Sequence, residues 1–202
     1  MSPVRVASVV EGHGEVEAVP LLLRRFAAQW DPSVPFEALK PVRIARSKLL
    51  KQGELERAIE LAAYKAPEGG VLVLIDCDDD CPAQLGPTLL RRAVPVVHNA
   101  AVVIAKSEFE SWFLAAAESI AGHRGLRDDL TTPQDVESIR DAKGWLKRQM
   151  SHRANTYSEA LDQPALAAIF DITAARGSSD SFDKLCRELS DLFNRLRPRA
   201  LQ

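Results

Sequence analysis

The run Gly69-Gly70-Val71-Leu72-Val73-Leu74-Ile75, followed at once by Asp76-Cys77-Asp78-Asp79-Asp80, constrains the fold more than any other segment of this chain. A half-solvated strand alternates apolar and polar residues, because successive side chains point to opposite faces. An unbroken run of valine, leucine and isoleucine instead suits a central strand of a parallel sheet, covered on both sides. The glycine pair turns the chain into this strand, and the aspartates mark where its backbone emerges into solvent.

Other segments supply neighbours for it. Val4 to Val10 is β-branched and ends at Glu11-Gly12-His13-Gly14, which reads as a buried strand and a glycine turn. Phe36 to Ile44 is a weaker strand, interrupted by Pro41, and Ala100 to Ala105 is a further one. Between the strands lie helical patterns. Leu22, Leu23, Phe26, Ala27 and Trp30 fall at helical spacings, and Pro20 places the regular helix from about Ala18 onward. Glu54 to Lys65 and Leu85 to Ala93 read as two more helices. Ser107 and Glu110 have the spacing of a capping box, so a helix is expected to start at Ser107.

Strand alternating with helix implies an α/β fold: a mainly parallel sheet flanked by helices. After about Gly122 the strand signal disappears. Val136 to Met150, Gln163 to Ala175 and Ser181 to Leu196 then read as helices, with Gly177-Ser178-Ser179 separating the last two. The expected organisation is an α/β core over 1–122 and a C-terminal helical extension over 123–202 packed on it.

Of the 202 residues, 46% are hydrophobic and 27% charged, enough for a sizeable core. The net charge of −2 provides no global field for nucleic acid, so contact with a polyanion needs a local basic patch or a partner. The first residues lack the build of a signal peptide, and no apolar run is long enough to span a bilayer. Cys77 and Cys81 have no second pair to complete a zinc site, and an odd count of cysteines argues against a disulfide framework. A cytoplasmic protein with reduced thiols, away from membranes, is the expectation.

Ligands of open parallel sheets sit beyond the carboxyl ends of the strands. Here those ends carry Glu11, then Asp76 and Asp78, then Glu108 and Glu110. Clustered carboxylates repel one another unless a cation joins them, and hard oxygen donors suit Mg²⁺ or Mn²⁺. Taken singly, each acid has a plain alternative. Asp79 and Asp80 serve to solubilise a turn, and Glu110 to cap a helix. Their joint occurrence at three strand ends favours the metal. Phosphate-binding loops fit poorly. Gly12-x-Gly14 has Glu17 where a dinucleotide fingerprint needs glycine, and no loop ends in Gly-Lys-Ser or Gly-Lys-Thr.

A strand ending in Glu11-Gly12-x-x-Glu15 and a second ending in Asp76-x-Asp78 resemble the Toprim domain of type IA and II topoisomerases, primases and OLD-type nucleases, the OLD-type branch above all. Phe109-Glu110-Ser111-Trp112-Phe113-Leu114, Tyr157 and Ser181-Phe182-Asp183-Lys184-Leu185 also resemble a bacterial family of small stand-alone Toprim-like proteins, often encoded beside an AAA-type ATPase. The resemblance implies that Glu11 acts as acid/base or metal ligand and that Asp76 and Asp78 hold Mg²⁺. It makes Glu15 an added ligand and lets Asp80, Glu108 and Glu110 help hold a second metal. Lys106, at the end of a strand, is a candidate for balancing charge that develops during reaction; the plain alternative is a surface lysine.

In the extension, Ile139, Ala142, Leu146 and Met150 form an apolar stripe that should face the protein. Arg140, Lys143, Lys147 and Arg148 fall largely outside it, with His152 and Arg153 just beyond, and are the candidate contact for DNA or RNA. A solvated face balanced by Glu137 and Asp141 is the competing reading. Trp112 and Phe113 are expected to pack a helix onto the sheet, and His13, His98, His123 and His152 to be structural or exposed. The leading expectation is a metal-dependent nuclease or nuclease subunit, in a defence or DNA-processing system. The alternatives are a non-catalytic Toprim-fold module that binds metal or a partner ATPase, and a nucleotide- or sugar-phosphate transferase.

Overall fold

A computed structural model describes residues 2–151 and 156–197. His152 and Arg153 lie outside the described residues. The sheet contains β1 (Val4–Val10), β2 (Phe36–Ala38), β3 (Val42–Arg43), β4 (Gly70–Asp76) and β5 (Ala100–Ala105). The strand order is β2-β1-β4-β5, β3 also pairs with β1, and every pairing is parallel. The expected strand over Phe36 to Ile44 is divided into β2 and β3, with Pro41, which has no N–H to give a ladder, in the break.

Helices cover both faces of this sheet. On one face pack α2 (Arg46–Leu49), α3 (Glu54–Lys65) and α4 (Pro82–Ala93), where Leu49, Leu55, Ile59 and Leu89 bury against Val9, Val73, Ile75 and Ile104. On the other lies α1 (Glu15–Trp30), and the short helices α5 (Ser111–Leu114) and α6 (Ala117–Ile120) follow β5 in the chain. The extension contributes α7 (Ala142–Arg148), α8 (Glu159–Ala167), α9 (Ile172–Ser178) and α10 (Asp180–Leu196). Phe170, Phe182, Leu189 and Phe193 from this extension share one continuous core with Val6, Leu72, Val103, Phe26 and Trp112. The tail therefore supplies much of the second helical layer of the α/β sandwich.

Several boundaries differ from the sequence expectation, each for a local reason. α1 begins at Glu15 and keeps Pro20 inside, because burial of Val19, Leu22, Leu23 and Phe26 outweighs the one lost amide donor. The stretch from Val136 to Met150 is not one helix. A 3-10 turn at Val136–Ser138 is followed by α7, whose N-cap Asp141 accepts from the Gly144 amide. Asp171 likewise caps α9 by accepting from Thr173 and Ala174, splitting the expected helix over Gln163 to Ala175. Ser107 starts no helix. It sits in the left-handed region at φ 63°, and α5 begins at Ser111.

As expected of a stripe that faces the protein, Ala142 and Leu146 are buried, and Ile139 and Met150 pack against the same core. Trp112 and Phe113 are buried as well, and the Trp112 indole N–H donates to Ser181 Oγ at 2.9 Å. The three cysteines are free thiols, Cys77 and Cys186 buried and Cys81 exposed. Among the described residues no helix is long and apolar enough to cross a membrane.

Candidate functional site

The chain runs from β1 to β2 on one side of β1, then crosses to β4 on the other. The carboxyl ends of β1 and β4 therefore flank the topological switch point, where a crevice opens in folds of this class. Glu11 follows β1, Asp76 ends β4, and the two meet there: Glu11 Oε1 accepts from the Asp76 amide at 3.0 Å. Glu15, in the first turn of α1, folds back so that Oε2 accepts from the amides of Glu11 at 3.1 Å and Gly12 at 3.2 Å. Asp76 Oδ1 accepts from the Phe109 amide at 2.7 Å, which anchors the segment after β5 against the end of β4.

Glu110 completes an inner group of carboxylates. It is fully buried, and its Oε1 accepts from Tyr157 Oη at 3.0 Å and from Gln163 Nε2 at 3.2 Å. Two carboxylate oxygens here, Glu11 Oε2 and Glu110 Oε2, are buried without a hydrogen-bond partner. Gly14 lets α8 come this close, since a Cβ there would stand 2.1 Å from Gln163 Oε1 and 2.4 Å from the Glu159 carbonyl oxygen.

Burial and crowding shift these acids together. Burial pushes Glu15 up to about 7, helped by the charge of Glu11 and opposed by the Gly12 amide. Burial also pushes Glu110 up to about 7, against the pull of Lys143 and Tyr157. Asp76 is held well above the usual carboxylate range by burial and by the charges of Glu15, Glu110 and Glu11. Glu11 is raised by burial and partly relieved by its bond from the Asp76 amide and by Arg46.

Two cationic side chains face this cluster of acids. Lys143 Nζ lies 3.1 Å from Glu159 and 4.0 Å from both Glu108 Oε1 and Glu110 Oε2, while its backbone amide donates to Glu108 Oε2 at 2.9 Å. Burial lowers the Lys143 pKa, but Glu110, Glu159 and Asp76 overcome this and leave it raised. The structure thus turns Lys143 toward the acids rather than out to solvent. Arg46 holds the outer acids, with Nε 3.2 Å from Asp78 Oδ2, a hydrogen bond to Asp80 and 4.0 Å to Glu11 Oε2. It also donates to the carbonyls of Asp76 and Cys77, clamping the loop after β4.

The candidate residues accordingly fall into two groups. Glu11, Glu15, Asp76 and Glu110 converge, with Glu108 beside them on Lys143. Asp78 and Asp80 are gathered by Arg46 on the outer side, and Asp78 adopts a left-handed backbone at φ 49°. Lys106 stands elsewhere: it lines a groove with Val102, Ile104 and residues of α4 and α10. On α7, Lys147 and Arg148 line a cleft of about 590 Å³ together with Lys143 and Tyr157, and Arg140 pairs with Asp79 at 3.2 Å. Arg148 also reaches Asp141 at 3.2 Å.

Arg46, Glu159 and Gln163 were not among the sequence candidates. Arg46 lies just past the carboxyl end of β3, and only its place at a strand end signalled it. Glu159 and Gln163 lie on α8, just after Tyr157, but carry no motif of their own.

The donor set suits a hard divalent cation, being made of carboxylate oxygens, two of them buried without a hydrogen bond. Glu11, Asp76 and Glu110, with Glu15 alongside, are the residues that would hold it. In the arrangement described, among the described residues, no group of three or more His, Cys, Asp and Glu side chains stands in ready metal-holding geometry. A cation would have to draw the acids inward from their present partners.

A family model described as "Domain of unknown function (DUF4276)" matches residues 10–190. The chain belongs to the DUF4276 family. The matched span includes Glu11, Arg46, Asp76, Glu110, Lys143 and Tyr157, so the DUF4276 unit extends from the sheet well into the helical extension. No curated protein and no solved structure matches the chain.

Proposed function

We propose that this DUF4276 protein carries out divalent-metal-dependent phosphodiester chemistry on nucleic acid, as a nuclease or nuclease subunit with a Toprim-like site. The observation that carries the reading is the convergence of Glu11, Glu15, Asp76 and Glu110 at the switch point, with Glu11 Oε2 and Glu110 Oε2 buried and without a hydrogen bond. Carboxyl groups raised toward neutrality are poised to exchange protons near physiological pH, and perturbed acids of this kind cluster at functional sites. A bound Mg²⁺ or Mn²⁺ would stabilise negative charge developing on phosphate oxygens.

The chain's own residues divide the remaining work. Glu11, bonded to the Asp76 amide and facing Arg46, is placed to take a proton from an attacking water. Asp76 and Glu110, together with Glu11, would hold the cation, and Glu15 and Glu108 would support them. Arg46 and Lys143 orient an incoming phosphate and keep the acids from repelling it. Lys147 and Arg148 in the neighbouring cleft, with Arg140 nearby, supply the positive surface for the strand of DNA or RNA. A cytoplasmic setting and action beside an AAA-type ATPase belong to the same proposal.

A second reading, a non-catalytic Toprim-fold module that binds metal or a partner ATPase, has one observation in its favour: Arg46 and Lys143 already partner much of the acidic charge. Plasmid nicking and RNA cleavage in Mn²⁺ separate the two. The nuclease reading predicts Mn²⁺-dependent cleavage that falls at least about a hundredfold in Glu11→Gln, which keeps shape but cannot ionise. Cleavage that survives Glu11→Gln and Asp76→Asn would refute this site. Metal binding without turnover on any nucleic acid would favour the module.

A further inference from the structure

Glu110 is fully buried, and its Oε2 takes part in no hydrogen bond. What faces that oxygen is Lys143, whose Nζ stands 4.0 Å from it, 4.0 Å from Glu108 Oε1 and 3.1 Å from Glu159 Oε1. Lys143 reaches there from a fixed base. It is the second residue of α7, its amide donates to Glu108 Oε2 at 2.9 Å, and its neighbours Ala142 and Leu146 are buried in the core. Its charge also offsets those of Glu11, Glu15 and Asp76. Carboxylates gathered away from water need a positive charge among them, and this lysine supplies one from within the chain.

The same ammonium has a way out. The three acids around it differ in depth: the Glu110 side chain is 0% exposed, Glu108 20% and Glu159 44%. Glu159 and Lys143 both line the cleft that Lys147 and Arg148 share, so the ammonium stands between a buried acid and one that leads to solvent. Lys147 and Arg148 repel a further cation entering that cleft. Arg148, however, is paired with Asp141 at 3.2 Å, and Glu159 stays with the lysine as it turns. The flexible four-carbon stem of lysine allows such a turn by rotamer changes alone.

We propose that Lys143 is the built-in counter-ion of the carboxylate site, held on Glu110 while no metal is bound and released along Glu159 into the cleft when a divalent cation enters. The inference rests on the metal reading of the site and adds its regulation. Two cations cannot both stand at contact distance from Glu110 Oε2, because in a poorly screened site their repulsion grows with the product of their charges. Metal therefore binds against the lysine, with an affinity below what the carboxylates alone would give. Release of Lys143 adds its positive charge to those of Lys147 and Arg148. The cleft is then most attractive to a phosphate backbone once metal is in place, and the two ligands bind with positive coupling.

Titration calorimetry of Mn²⁺ into the full chain tests the proposal, counting only the binding that Asp76→Asn abolishes. Lys143→Met keeps the reach of the side chain and removes its charge, so it should bind Mn²⁺ about tenfold more tightly than wild type. Lys147→Met removes the same charge one turn further along α7, away from Glu110, and should leave the affinity within about twofold. Loss of a counter-ion can also destabilise the metal-free fold, so a second measurement uses wild type alone. Acetylation of Lys143 by N-hydroxysuccinimidyl acetate, read by mass spectrometry relative to the exposed Lys51, should speed up when Mn²⁺ saturates the protein. Equal or weaker Mn²⁺ binding in Lys143→Met, an equal gain in Lys147→Met, or acetylation of Lys143 unmoved by bound Mn²⁺ would overturn the proposal and leave the metal site standing. No Mn²⁺ binding in wild type or in either lysine variant would overturn the metal reading, and this inference with it.

Discussion

Glu15 and Glu110 are pushed up to about 7, from an ordinary 4.5, because both are buried among other acids. Between pH 4.5 and 7 the unfolded chain ionises these groups while the folded chain keeps their protons. Without divalent metal, stability is therefore greatest below about pH 4.5 as far as these groups go, falls as pH rises, and levels off above 7. Each shift taken alone corresponds to about 3 kcal/mol. Calorimetric melting from pH 5 to 8 should show this fall, and Glu110→Gln should reduce it to the part due to Glu15, since the amide has no proton to lose. An identical pH slope in wild type and variant would count against a strongly perturbed Glu110. Glu11 and Asp76 were legible in the sequence because a strand end announces where its side chain emerges. Lys143 was legible only as a cation, since it sits on the margin of the Ala142–Leu146 stripe and a long lysine can turn either way from there. Ser107 and Glu110 matched a capping box, but tertiary contacts claimed both: Glu110 bonds Tyr157 and Gln163, and Ser107 occupies a left-handed turn.

Between α1 and α8 the contact is set by one atom's absence. Gly14 has φ −66°, open to any residue, so its need is space rather than backbone freedom. In Gly14→Ala the new methyl would overlap Gln163 Oε1 and the Glu159 main chain, and a helix backbone must shift. The expected cost is on the order of 2–3 kcal/mol, measured from urea midpoints, together with loss of the Gln163 contact to Glu110. A variant as stable as wild type would show that α8 sits farther from the turn than described. Periodicity found α3 and β5 with their bounds intact, because each is bracketed by turn residues and buries one regular pattern. It joined Val136 to Met150 and Gln163 to Ala175 into single helices, because the apolar spacing continues across Asp141 and Asp171. Both aspartates are capping residues, and as such they marked the breaks.

At the scale of the molecule, the division at Gly122 separates two stretches of sequence but not two cores. Phe170, Phe182 and Phe193 of the extension pack with Phe26, Trp112 and Leu72 of the α/β segment. Arg25 on α1 further donates to the carbonyls of Ala167 at 2.8 Å and Phe170 at 2.7 Å, closing the end of α8. A chain cut after Gly122 would expose that face of the sheet, so the full chain should unfold in a single cooperative transition and the fragment should not. A cooperative transition retained by the fragment would establish an independent core. The α/β class was readable because the parallel pattern of buried strands is local; the role of the tail was not, since packing between distant helices leaves no spacing in the sequence.

Anomalous diffraction from crystals soaked in Mn²⁺ probes the proposed divalent-metal site among the acids at the ends of β1 and β4. The expected result is an anomalous peak bounded by the carboxylates of Glu11, Asp76 and Glu110, absent from crystals of Asp76→Asn. Ordered crystals with no peak there, or with Mn²⁺ held only by Asp78 and Asp80 on the outer side, would contradict it.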